Sequence, residues 1–93
     1  MEMHQIGYFL ALCEERNFTR AAKRYGVAQP SLTRAIKRLE VPLGGSLFDR
    51  DRMKTRLTEL GILMRPEFVQ IDRSATEAKR KARKFLVAGL VLP

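Results

Sequence analysis

Residues Phe18 to Glu40, FTRAAKRYGVAQPSLTRAIKRLE, decide how the rest of the chain is read. The stretch divides at Gly26 into two short helical patterns. In the first, Thr19 is placed to cap the helix, and Ala21 and Ala22 are small enough for a second helix to approach closely. Gly26 suits the left-handed conformation that ends a helix, and Val27 follows as an apolar plug. The second pattern starts near Gln29-Pro30, where a proline removes no helical hydrogen bond. Leu32, Ala35, Ile36 and Leu39 share its apolar face. Left facing outward at its start are Gln29, Pro30, Ser31, Thr33 and Arg34, whose side chains have the length and chemistry to touch base edges. Gln suits adenine N6/N7, Arg suits guanine O6/N7 and the Thr methyl packs on thymine, with the pairing left open. From Arg16 to Arg38 there are seven Lys or Arg and no Asp or Glu. A groove walled by phosphates favours that pattern, so a helix-turn-helix bound to duplex DNA is expected.

Phosphates, which fix register without reading sequence, are the expected partners of Arg20, Lys23, Arg24, Lys37, Arg38 and Arg50. The whole chain has 93 residues, a net charge of +8 and a pI near 10.4, values that point to a polyanionic partner. One small domain with an appendage fits this length, and a partner chain would add to its modest core. Cys13 is the single cysteine, so no internal disulfide and no Cys-rich metal site is possible within the chain. A buried, inert thiol is expected, and a reducing, cytoplasmic, nucleoid-associated location. The Met1–His4 start lacks a basic signal-peptide region, and the apolar run Phe85–Pro93 is far shorter than the ~20 residues of a membrane span. No membrane partner is expected.

Upstream, Ile6, Phe9, Leu10 and Cys13 form the stripe of an amphipathic helix over Met3 to Arg16, while Tyr8 and Leu12 lie off it and need separate cover. Downstream, Pro42 and Gly44-Gly45 are expected to stop the second reading helix near Val41. Leu47-Phe48 and Leu57 suggest two short strands around the polar loop Arg50–Lys54, a wing beside the helix-turn-helix. A long helix capped by Thr58 follows. Within it Gly61, Met64, Phe68, Ile71, Ala75, Ala78, Ala82 and Phe85 alternate at spacings of 3 and 4, the repeat of a coiled-coil seam. This predicts a homodimer interface at Met64, Phe68, Ile71, Ala75, Ala78, Ala82 and Phe85, with Tyr8 and Leu12 as further candidates. Pro66 is expected to kink its first turns.

These parts together resemble the N-terminal DNA-binding region of a LysR-type transcriptional regulator. The resemblance is carried by Phe9, Phe18-Thr19-Arg20-Ala21-Ala22, Val27 through Arg34, Leu39-Glu40, Leu43-Gly44, Leu47 through Arg50, and Leu57 through Gly61. It implies a mainly α fold: a winged helix-turn-helix of three helices and a short β-wing over residues 1–57. A linker helix over 58–89 forms a dimeric coiled coil, and 90–93 are a tail leading to an effector domain outside this chain. It further implies double-stranded DNA carrying an interrupted inverted repeat, and a homodimer that can assemble further in a full-length protein. A small-molecule effector is implied only where a C-terminal domain is added. The resemblance puts base contacts at Gln29, Pro30, Ser31, Thr33 and Arg34. Thr19 and the wing residues Arg50, Arg52, Lys54 and Arg56 join the backbone contacts. Ala28 in place of a Ser cap, Val41-Pro42 in place of a polar pair, and Met53 at a wing position usually held by Arg are its three departures.

The other chemistry-bearing residues carry less. Lys79-Arg80-Lys81 and Arg83-Lys84 are expected to form a solvated face, with Glu77 and Lys81 paired at i, i+4. His4 is assigned no role. Glu14-Glu15 and Asp49/Asp51 lack an accompanying nucleophile or ligand cluster, so neither catalysis, a cofactor nor a metal is expected. Two other functions share the same composition: a non-specific architectural DNA binder, and a coiled-coil module that recruits another protein or RNA.

Overall fold

In the computed structural model the order of elements is α1 (Met3–Glu15), α2 (Phe18–Tyr25), α3 (Gln29–Leu43), β1 (Phe48–Arg50), β2 (Thr55–Leu57) and α4 (Glu59–Val91). The structure describes residues 1–50 and 55–91. β1 and β2 form one antiparallel pair, with Phe48 opposite Leu57 and Arg50 opposite Thr55. The molecule measures 61 × 25 × 19 Å, because α4 projects from a small helical head.

α1 is the hub of that head. Ile6, Phe9, Ala11, Leu12 and Cys13 are all buried, more of the helix surface than one amphipathic stripe supplies, since α2, α3 and α4 each pack against it. Phe9 is 0% exposed, and its ring lies 5.3 Å from Phe48 and 5.1 Å from Phe68. The three rings tie α1, the wing and α4 into one aromatic core. Gly7 is buried because the Tyr25 ring crosses it; a Cβ there would sit 2.7 Å from the Tyr25 hydroxyl.

Three helix ends take left-handed residues: Arg16 at φ 55°, Gly26 at φ 68° and Gly44 at φ 75°. The Gly26 and Val27 amides donate to Lys23 and Ala22 carbonyls, the closure that turns the chain from α2 toward α3. α3 continues to Leu43, past the expected stop near Val41. Pro42 removes one hydrogen bond in the final turn, but Gly44 N–H donates to the carbonyls of Glu40 and Val41 and closes the end there. Asn17, not Thr19, caps α2: its Oδ1 accepts from Arg20 N–H at 2.8 Å, and Thr19 stands inside the helix.

Thr58 caps α4 as its sequence position suggests. Its hydroxyl accepts from Gly61 N–H at 3.0 Å and donates to the Ser46 carbonyl at 2.6 Å. Glu40 closes the same corner from the other side, its carboxylate accepting from Leu47 N–H at 2.7 Å. Gly61 faces the Leu47 carbonyl so closely that a Cβ would overlap it. α4 then runs unbroken through Pro66 and past the expected end at residue 89 to Val91, about 50 Å at ~1.5 Å per residue.

The expected single seam along α4 is therefore two surfaces. Phe68 is 1% exposed, so it closes the helix onto its own head rather than onto a second chain, and Met64, half-buried, packs on the same core. Leu12, 0% exposed, is likewise core and not a dimer contact. Tyr8 is half-buried, with its ring edge-on to Tyr25 at 5.1 Å. Beyond Phe68 the seam opens to solvent: Ile71 is 37% exposed, Ala78 and Ala82 are exposed, and Phe85 reaches 75%.

Candidate nucleic-acid interface

α3 buries Leu32, Ala35, Ile36 and Leu39 against the head. That leaves Gln29, Pro30, Arg34, Lys37 and Arg38 exposed on the other face, with Ser31 and Thr33 half-buried at its flank. The helix offers a polar, acid-free surface from its first turn to Arg38. Two side-chain contacts order that surface. The Thr19 hydroxyl on α2 donates to Gln29 Oε1 at 3.0 Å, and Arg34 Nη2 donates to Ser31 Oγ at 3.3 Å. The first joins the two helices of the motif directly across their turn.

The basic residues fall into two groups. Arg20 Nη2 donates to the Glu15 carbonyl at 2.9 Å, and its Nε lies 3.8 Å from the Glu15 carboxylate. Arg24 donates to Glu14 at 2.9 Å and to Glu15 at 3.3 Å, and the hydrogen bond to Glu14 holds its pKa above the usual arginine value. The two glutamates at the end of α1 thus hold two arginines of α2. These pairs are solvent-exposed and bind weakly, so a phosphate can compete for either arginine. Lys23, Lys37 and Arg38 have no ion-pair partner among the described residues.

The wing hairpin carries Arg56 exposed on β2 and ends β1 at Arg50. Arg52 and Lys54, like the departure at Met53, lie outside the described residues. Along α4, Glu77 pairs with Arg80 at 2.6 Å, one turn away at i, i+3, instead of the expected Lys81. That contact lowers the Glu77 pKa and raises that of Arg80. Cys13 is buried in the head, and desolvation pushes its thiol up to about 11. Among the described residues no group of three or more His, Cys, Asp or Glu could hold a metal ion. No described helix is long and apolar enough to cross a membrane.

Residues 3–62 match the family described as bacterial regulatory helix-turn-helix protein, lysR family. The chain belongs to the LysR family. It is 42% identical to the HTH-type transcriptional regulator BudR of Klebsiella aerogenes over 83 residues, 89% of this chain and 58% of that protein. It is 38% identical to the Hca operon transcriptional activator HcaR of Escherichia coli K12, over 92% of this chain and 29% of the activator. Among solved structures, the CbnR DNA-binding domain crystallised with DNA superposes with a TM-score of 0.85 and 34% identity, covering 92% of this chain and 99% of that one. Full-length OxyR from Pseudomonas aeruginosa gives 0.85 and 31%, covering 90% of this chain and 28% of OxyR. The chain thus spans between about a quarter and somewhat over half of the full-length relatives it matches. The winged helix-turn-helix of this LysR-family chain is the expected one, and its relatives are regulators by name, not enzymes.

Four features of the LysR-type head escaped the sequence. Asn17 was hidden by Thr19 two residues on, which is also a capping residue type. Glu40 resembles any helical acid until the turn brings Leu47 N–H to it. Gly7 looks like a weak point in a helix, and only the Tyr25 ring explains it. The Thr19–Gln29 link joins residues on different helices, which no periodicity connects.

Proposed function

We propose that this LysR-family chain binds duplex DNA sequence-specifically, as the DNA-binding part of a transcription regulator. The observation that carries the reading is α3. It buries one face completely and presents Gln29, Arg34, Lys37 and Arg38 on the other, in the fold of a domain crystallised on DNA. In this reading α3 lies in the major groove. Gln29, Pro30, Ser31, Thr33 and Arg34 meet base edges, and Thr19, Arg20, Lys23, Arg24, Lys37 and Arg38 meet phosphates. The wing from Arg50 to Arg56 reaches the backbone or minor groove.

A second copy covers Ile71, Ala75, Ala78, Ala82 and Phe85, and the site is an interrupted inverted repeat. Charge favours an antiparallel pair: the acids of α4 are Glu59, Glu67, Asp72 and Glu77, whereas Lys79, Arg80, Lys81, Arg83 and Lys84 all follow. Antiparallel helices lay that basic half beside the acid-bearing half, and parallel ones would stack it on itself. The head over residues 1–57, the linker over 58–89 and a tail over 90–93 form the working division of the chain. A small-molecule effector enters only where a C-terminal domain is added, and the protein works at the nucleoid in the cytoplasm.

The test is the salt dependence of binding to a selected duplex. Eight to ten neutralised phosphates per dimer give a slope of roughly −7 to −9 in log K against log salt. A nearly flat slope contradicts the reading, and equal affinity for selected and unrelated duplexes leaves only the architectural alternative.

A further inference from the structure

Gln29 opens the recognition helix, and its amide already has one partner within the motif. Its Oε1 accepts from the Thr19 hydroxyl, 3.0 Å away on α2. Thr19 is itself placed by the cap before it, where Asn17 Oδ1 holds Arg20 N–H at 2.8 Å. A primary amide has one acceptor oxygen and one donor nitrogen, and the classical adenine pairing uses both, with Oε1 taking N6–H and Nε2 giving to N7. The Thr19 hydroxyl takes one of the two lone pairs of Oε1 and draws that oxygen toward α2, which leaves the N–H groups of Nε2 on the more open side of the amide. The same logic holds one turn on, where Arg34, a donor only, is steadied by Ser31.

We infer that Thr19 is a specificity-determining positioning residue: it turns Gln29 into a hydrogen-bond donor, so that the base pair beneath Gln29 is read by its acceptors and not by an exocyclic amino group. The inference rests on the DNA-binding reading and adds to it the chemistry of one contacted pair. Guanine O6 and N7, adenine N7 and thymine O4 are the atoms that fit. Adenine N6 and cytosine N4 are the atoms that do not. Thr19 thereby acts through Gln29, in addition to any phosphate its exposed position brings near.

The experiment uses the whole chain with duplexes taken from a random-sequence selection. Gln29→Ala first identifies the base pair whose preference depends on Gln29. At that pair single atoms are then deleted: purine N7 by 7-deaza substitution, thymine O4 by a pyrimidinone, and the adenine or cytosine amino group by the analogue lacking it. In the wild-type chain, loss of one acceptor is expected to weaken binding about five- to tenfold, the worth of one hydrogen bond. Loss of the amino group should change binding by less than about twofold. Thr19→Val, which keeps the shape and removes the hydroxyl, should flatten the acceptor penalty, and Thr19→Ser should restore it.

If the amino deletion costs as much as the acceptor deletion, Gln29 accepts as well as donates and the inference is overturned. It is also overturned if Thr19→Val weakens every duplex alike and keeps the wild-type profile of penalties, which is the behaviour of a phosphate contact. Selected duplexes whose preferences all survive Gln29→Ala defeat the inference and leave DNA binding intact. Failure of the wild-type chain to select any duplex defeats both.

Discussion

The two halves of α4 share one repeat and have opposite environments. From Gly61 to Phe68 the repeat positions Gly61, Met64 and Phe68 face the head, against Leu47, Leu57 and Phe9. From Ile71 to Phe85 the same 3-and-4 spacing runs along a face largely open to solvent, where Phe85 stands 75% exposed. A heptad seam states that a helix face needs apolar cover but not who supplies it. Here the head covers the first two turns and a second copy is proposed to cover the rest.

That division predicts different consequences for the same kind of substitution in each half. Phe68→Ala removes a ring buried among Phe9 and its neighbours, and should lower the unfolding free energy of the head by ~3–5 kcal/mol, measured by denaturant melts. Phe85→Ala should leave the head unaltered and act only on self-association. Equal losses from both would contradict a split seam.

Glycine gives a sharper contrast. Gly61→Ala drives a methyl group into the Leu47 carbonyl and should cost about 1–3 kcal/mol. Gly89→Ala meets nothing within 4 Å and should stabilise α4 by up to about 1 kcal/mol through helix propensity. Circular dichroism melts distinguish the signs.

A pH-dependent effect is confined to the head. Cys13 ionises near pH 9 when unfolded, but burial pushes its thiol up to about 11 in the folded chain. The neutral form is therefore favoured by folding. Its contribution is intact below pH 9 and is lost as pH rises from 9 towards 11, a loss of roughly 1–2 kcal/mol. Cys13→Ala should remove that part of the alkaline decline, seen as the difference between the two stability-against-pH curves.

Much of the head was legible in the sequence because its signals are local. Gly26 must turn, the α3 stripe must bury, and Thr58 must cap, each from neighbours a few residues away. What stayed hidden depends on which surfaces meet in three dimensions. The repeat in α4 is one pattern in the sequence, and only the position of Phe9 beneath Phe68 reveals that its first part is used within the chain. Leu12 was misplaced for the same reason: a residue off the main stripe of α1 needs cover, and α1 turns out to be surrounded. In the candidate interface, side-chain types marked Gln29 and Arg34, whereas the pairing of Arg20 and Arg24 with Glu14 and Glu15 and the Thr19 link to Gln29 required the packed helices.

The central claim is that the distal half of α4 joins two reading heads, and Ala78→Glu tests it most directly. Ala78 is exposed in the single chain, so the head loses no contact when it is replaced. In the dimer two carboxylates would be brought together in a close-packed, desolvated contact. Half-sites in successive major-groove turns lie ~34 Å apart, too far for one head to reach both. Sedimentation of Ala78→Glu, with binding to full-site and half-site duplexes measured on the same preparation, should show a folded monomer. Its advantage for the full site, ~10²-fold or more in the dimer, should be largely gone. A variant that remains dimeric and keeps that advantage would contradict the claim.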